Sequence, residues 1–218
     1  MARRVMSVGT FFTDEAKRKI VEAVRDVESK SRAEIVVSVR ARSDDYREID
    51  LVAGVLAAVL TLAILMYHPA PLDEHLMPIE TLLAFVVVSI VVNKVAPLKR
   101  LLLPKKKRAE RTLTAARAQF VEQGISCTRD RSGILVFVSE LERAVCVVPD
   151  IGIDASKLGD DWNRCVTALQ QAVAKLDLGA FVTALSSLGP VLEAKYPRRH
   201  DDVNELPDAP LFGTEARS

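Results

Sequence analysis

Two apolar segments, residues 51–67 and 76–93, constrain this chain more than any other feature. No charged residue occurs from Leu51 to Leu72, and a helix through the first segment is long enough to cross a hydrocarbon core of about 30 Å. The second segment is uncharged from Thr81 to Asn93. A full span there takes in Glu80 near one interface, where an ionisable group is tolerated better than at the bilayer centre. The competing reading is a pair of buried core elements, but core elements of this length usually keep a polar face. The two segments therefore predict a transmembrane hairpin, with soluble sequence on either side.

Lys and Arg set the orientation. Arg40, Arg42 and Arg47 precede the hairpin. Lys94, Lys99, Arg100, Lys105, Lys106, Lys107, Arg108 and Arg111 follow it, while the connecting loop carries Asp73, Glu74 and Glu80. Both long ends are expected on the cytoplasmic side of a bacterial inner membrane. The run Lys105, Lys106, Lys107 and Arg108 reads as a contact with anionic lipid rather than as a nucleic-acid patch. Leu98, Leu101, Leu102 and Leu103 are expected against lipid, with the neighbouring Lys and Arg facing the headgroups.

With the hairpin removed, about 170 residues remain, enough for one domain with its own core. Net charge is +1, so no strong electrostatic partner follows. Cys127, Cys146 and Cys165 are odd in number, lack CxxC spacing and read as small buried hydrophobes. The first residues lack an apolar stretch of signal-peptide length.

Thr13 caps a first helix whose Ala16, Ile20, Ala23, Val24 and Val27 share one face. Residues 33–40 form a strand buried on both faces, since Val36 and Val37 are consecutive. After the hairpin come a helix over 110–123 stopped by Gly124, and strands over 134–139 and 143–148 joined as an antiparallel hairpin. Two helices follow. Trp162, Cys165, Val166, Leu169 and Val173 stripe the first; Phe181, Leu185, Leu188 and Leu192 stripe the second, where Pro190 predicts a break. A helix between the first two strands makes them parallel. The expected fold class is α/β: a small three-layer sandwich with a mixed sheet and helices on both faces, interrupted by a two-helix transmembrane hairpin. Its halves are residues 10–48 and 109–195, and 196–218 reads as a polar tail. Asp130 and Asp150 are expected at one end of the sheet, and the turn at Glu140 and Glu142 at the other.

The runs Ser132-Gly133-Ile134-Leu135-Val136-Phe137-Val138-Ser139 and Arg143-Ala144-Val145-Cys146-Val147-Val148-Pro149-Asp150-Ile151-Gly152-Ile153 resemble the TPM domain family, named for thylakoid and membrane proteins. The opening Phe12-Thr13-Asp14-Glu15 and the strand Ala33-Glu34-Ile35-Val36-Val37 fit the start of that domain. Trp162 and Asp201-Asp202-Val203-Asn204-Glu205-Leu206-Pro207 are similar to a bacterial membrane branch. The resemblance implies an α/β sandwich, a divalent-cation site at acidic loops (calcium in some members) and weak acid phosphatase activity in some plant members. The chain departs from the secreted type, in which a single span follows the domain and a Gly-Tyr-Gly-like turn follows the third strand.

Asp150, Asp154 and Asp130 are the candidate metal ligands, because hard cations want several oxygens on a bent loop. The plainer readings make Asp150 a turn former and Asp154 a helix N-cap. Arg129 and Arg131 are candidate phosphate ligands through forked hydrogen bonds, with carboxylate pairing as the alternative. His68 and His75, beside Asp73 and Glu74, make a weak metal motif, and His200 has no visible partner. There is no Walker loop, GxSxG, HExxH or thiol-phosphatase cysteine motif. The expectation is a membrane-tethered binding or scaffold module in envelope stress or assembly. Its expected partners are the lipid bilayer and other proteins or copies of itself, without nucleic acid; a weak divalent-metal-assisted phosphatase is the alternative.

Overall fold

The computed structural model describes residues 10–69, 73, 75–199 and 203–213. The expected Glu74, His200, Asp201 and Asp202 features lie outside the described residues. The chain divides into two compact units, with boundaries between Asp44 and Asp45 and between Lys107 and Arg108.

The first unit is α/β. Helix α1 (Asp14–Lys30) begins where the Thr13 hydroxyl accepts from the Ala16 amide at 3.1 Å. Its Ala16, Ile20, Ala23, Val24 and Val27 are all buried, as the helical spacing predicts. Strand β1 (Glu34–Arg40) pairs in parallel with β2 (Gly133–Ser139), and β2 pairs antiparallel with β3 (Ala144–Pro149). The sheet is therefore mixed, and consecutive side chains in β1 serve different layers. Ile35, Val37 and Val39 enter the larger core, whereas Val36 joins Leu135 and Phe137 on the opposite face.

The larger core is closed by α1, α6 (Ala155–Lys175), α7 (Leu178–Ser186) and α8 (Leu188–Glu193). Trp162, Cys165, Leu169 and Val173 of α6 supply its stripe, with Phe181, Leu185, Leu188 and Leu192. The break expected at Pro190 falls just before it, at Ser187. The opposite face is covered by Ala116 of α5 (Lys105–Glu122) and by Ile125. Gly124 takes a left-handed φ of 62° after that helix, as its stop role requires.

Two features of this unit differ from the sequence reading. The segment expected as a polar tail returns to the sheet and adds an edge strand, β4 (Leu211–Gly213), parallel to β1. Three residues carry no legible alternation, and their placement comes from pairing of Val39 with Phe212. Of the cysteines, Cys165 is buried and Cys146 half-buried, but Cys127 is exposed; it sits in a short 3-10 turn, Ile125–Cys127, of which Ile125 is the buried member.

The second unit is helical. Helices α2 (Arg47–Tyr67) and α3 (Met77–Lys94) are long and apolar enough to cross a membrane, and only 11% and 6% of their most apolar windows are buried. Leu56, Leu60, Leu82 and Leu83 are each at least 60% exposed. Gly54 lets the helices approach closely: a Cβ there would lie 2.8 Å from a Phe85 ring carbon and collide with the Ser89 hydroxyl. A short α4 (Ala96–Leu102) follows. Its Lys99 does not face solvent or headgroups as expected, because it is 2% exposed and its ammonium donates to Asp50 and to the Asp45 carbonyl.

Candidate functional site

The loops at the start of β1 and β2 and the end of β3 meet at one end of the sheet. Backbone bonds Glu34 N to Ser132 O (3.2 Å) and Asp150 N to Gly133 O (2.8 Å) draw them together. The Glu140 turn lies at the other end, where its amide donates to the Arg40 carbonyl at 3.0 Å. Asp130 and Asp150 thus share an end, opposite that turn, as strand order predicts.

Asp150 is 5% exposed, and both its oxygens engage Arg131, from Nε at 2.7 Å and Nη2 at 2.9 Å. The Ile151 amide also donates to Asp150 Oδ1 at 2.8 Å. The Arg131 fork, with this amide, holds the Asp150 carboxyl below the usual carboxylate range. Arg131 itself has a left-handed φ of 54°. That backbone is fixed by its amide donating to Thr128 O at 3.1 Å and by Gly152 N donating to its carbonyl at 2.9 Å. Gly152 is needed for close approach, since a Cβ there would overlap the backbone of Asp130 and Arg131.

Asp130 Oδ2 accepts from Arg32 Nη1 (3.1 Å) and Arg199 Nη1 (3.0 Å). Arg32 also lies over the Tyr196 ring at 5.3 Å. Asp154 is the N-cap of α6, accepting from the Ser156 amide at 3.1 Å and hydroxyl at 2.5 Å. The three candidate metal ligands therefore do not converge. Among the described residues no group of three or more His, Cys, Asp or Glu side chains is placed to hold a metal. As arranged, with Asp150 forked to Arg131 and Asp130 shared by two guanidiniums, this donor set does not fit a divalent cation.

Two cavities open beside these loops. One, of about 50 Å³, has Arg32, Arg129 and Arg199 set against Glu34, Asp130 and Glu205. The other, of about 190 Å³, is lined by Arg25, Glu28, Ser31, Arg198, Asn204 and Asp208. Glu28 accepts from the Ile35 amide at 2.9 Å, and burial pushes its carboxyl up to about 8. Arg129 meets the site through its amide, which donates to Glu205 at 2.7 Å. Glu28, Arg32, Arg199, Glu205 and Asp208 were not legible as site residues, because the tail segment that brings several of them together has no periodic pattern. Of the basic run, Lys107 pairs with Glu48 at 2.9 Å, Lys105 and Lys106 are exposed, and Arg108 is half-buried.

No family model and no curated protein matches the chain. The NMR structure of the BA42 protein from the psychrophilic bacterium Bizionia argentinensis is similar over 98% of this chain and 100% of that one. The identity is 17% and the TM-score 0.56, a likeness that shows the α/β fold alone.

Proposed function

We propose that the chain is a two-pass protein of a bacterial inner membrane, with both ends cytoplasmic and its TPM-like α/β unit acting as a binding or scaffold module. The observation that carries this is the exposure of the aliphatic side chains of α2 and α3, which in water would be an apolar surface far beyond what a soluble monomer keeps. Orientation is supported by the basic residues flanking the helices and by Asp73 and Glu80 in and beside the connecting loop. A binding role is preferred to metal-assisted catalysis because Asp150, Asp130 and Asp154 are engaged with partners inside the chain. The residues around the nearby cavity set three guanidiniums against three carboxylates, a surface that suits a docking partner of mixed charge better than a bare anion.

A tag inserted beside Asp73 is expected to react only with reagents outside the inner membrane; a cytosolic tag overturns the orientation. Detergent pull-down is expected to recover a protein partner or a second copy. Robust turnover of a phosphate ester that depends on calcium or magnesium and vanishes in Asp150→Ala, with no partner recovered, would instead favour the phosphatase reading.

A further inference from the structure

The helical unit contains a largely apolar cleft with buried polar groups that its anchoring role does not explain. The cleft lies between α2 and α3, has a volume of about 320 Å³ and is lined by Asp50, Ser89 and Asn93. Asp50 is 7% exposed, and its Oδ2 accepts from Asn93 Nδ2 at 2.7 Å and Lys99 Nζ at 3.0 Å. Among the described residues, its enclosed Oδ1 has no hydrogen-bond partner, and the buried Ser89 hydroxyl has none either. Buried acceptors are nearly always satisfied, and a carboxylate oxygen most of all. An acceptor-only carboxylate oxygen and a hydroxyl that can accept, both lining one cleft, therefore call for a donor.

The remaining lining says what kind of molecule carries that donor. Arg47 and Lys94 stand at the same cleft, and the Arg47 side chain is 77% exposed. Leu51 and Ile90, each 54% exposed, continue the lining toward the aliphatic surface of the helices. The ligand must combine a donor group, an anionic group and an apolar body. We propose that the cleft binds the headgroup of an aminophospholipid. The primary ammonium donates to Asp50 Oδ1 and Ser89 Oγ, the phosphate pairs with Arg47 and Lys94, and the acyl chains lie along Leu51 and Ile90. An ammonium has three donors and no acceptor, so one group serves both orphan oxygens. A trimethylated headgroup has no donor and leaves them unsatisfied. The proposal rests on α2 and α3 spanning a bilayer.

The test uses the full-length protein in membranes and in nanodiscs of matched acyl chains, containing phosphatidylethanolamine, phosphatidylcholine or phosphatidylglycerol. Retained lipid is measured by native mass spectrometry after exchange. Phosphatidylethanolamine is expected to be retained about tenfold over the other two, the effect of one charge-assisted hydrogen bond. Ser89→Ala, which leaves the Asp50 and Lys99 pair intact, is expected to erase most of that preference, whereas Arg47→Gln, at the phosphate that all three lipids carry, is expected to lower the retention of all three. Equal retention of the three lipids, or an unchanged preference in Ser89→Ala, overturns the lipid site. Release of the protein from membranes by alkaline carbonate overturns the membrane reading itself, and the lipid site with it; retention without preference overturns the lipid site alone.

Discussion

Arg131 and Asp150 show how one residue pair holds the candidate site in shape. The fork satisfies a nearly buried carboxylate while the arginine backbone stays in a left-handed conformation. Asp150→Ala is expected to lower unfolding free energy by about 2 kcal/mol, and Arg131→Lys by about 1 kcal/mol because an ammonium cannot supply the fork. Urea denaturation of both variants checks the order. Glu28 gives a pH dependence of opposite sign to an ordinary ion-paired carboxylate. Its folded-state value lies at about 8 against an ordinary 4.5, so the native state holds the extra proton between those values. Stability contributed by the neutral carboxyl is full below about 4.5 and is lost as pH rises through about 8, by on the order of 1–3 kcal/mol given partial exposure. Glu28→Gln is expected to flatten that slope in denaturation curves taken across this range. Asp150 could be singled out in the sequence because it ends an aliphatic run before Gly152. Its partner was open between carboxylate and phosphate, since spacing alone does not say which acceptor a guanidinium finds.

Among the elements, α6 carries a discontinuity that its apolar stripe conceals. Gly159 adopts φ 63° and ψ −146° inside the helix, a conformation essentially restricted to glycine. Among the described residues nothing beyond the helix's own nearby backbone stands within 4 Å of the position a Cβ would take, so the restriction is conformational and not steric crowding by neighbours. Gly159→Ala is therefore expected to destabilise the fold by about 1–3 kcal/mol, read as a lowered denaturation midpoint with unchanged slope. The first helix was legible because its cap, acidic first turn and apolar spacing agree. The α6 break was not, because Leu158, Trp162 and Cys165 keep the helical spacing across it. Strand β4 was hidden for a different reason: its three residues follow two prolines, and only the register against β1 makes them a strand.

At the scale of the molecule, the helical unit is an insertion, and the α/β unit holds its own ends together. Asp44 pairs with Arg111 at 2.8 Å, and the Ser43 hydroxyl lies 3.4 Å from that of Thr112. The Ser43 amide also donates to buried Glu142 at 2.9 Å. Arg111 is one helical turn beyond Arg108, so the cut end at Arg108 lies within about one turn of helix, a rise of about 5 Å, of the residue that Asp44 pairs with. A loop of a few residues can bridge that gap, and loop-closure entropy changes little with such shortening. Replacing residues 45–107 with a short Gly/Ser linker is expected to leave a water-soluble domain that unfolds cooperatively and no longer sediments with membranes. Circular dichroism with urea denaturation and membrane fractionation read both outcomes. The same variant keeps Arg131, Asp150, Asp130 and Glu28, so a partner recovered by the whole protein is expected to be recovered by the excised domain as well. An aggregated or unfolded product would show that the α/β core depends on the helical unit, and would overturn the reading of that unit as an insertion in a self-sufficient domain.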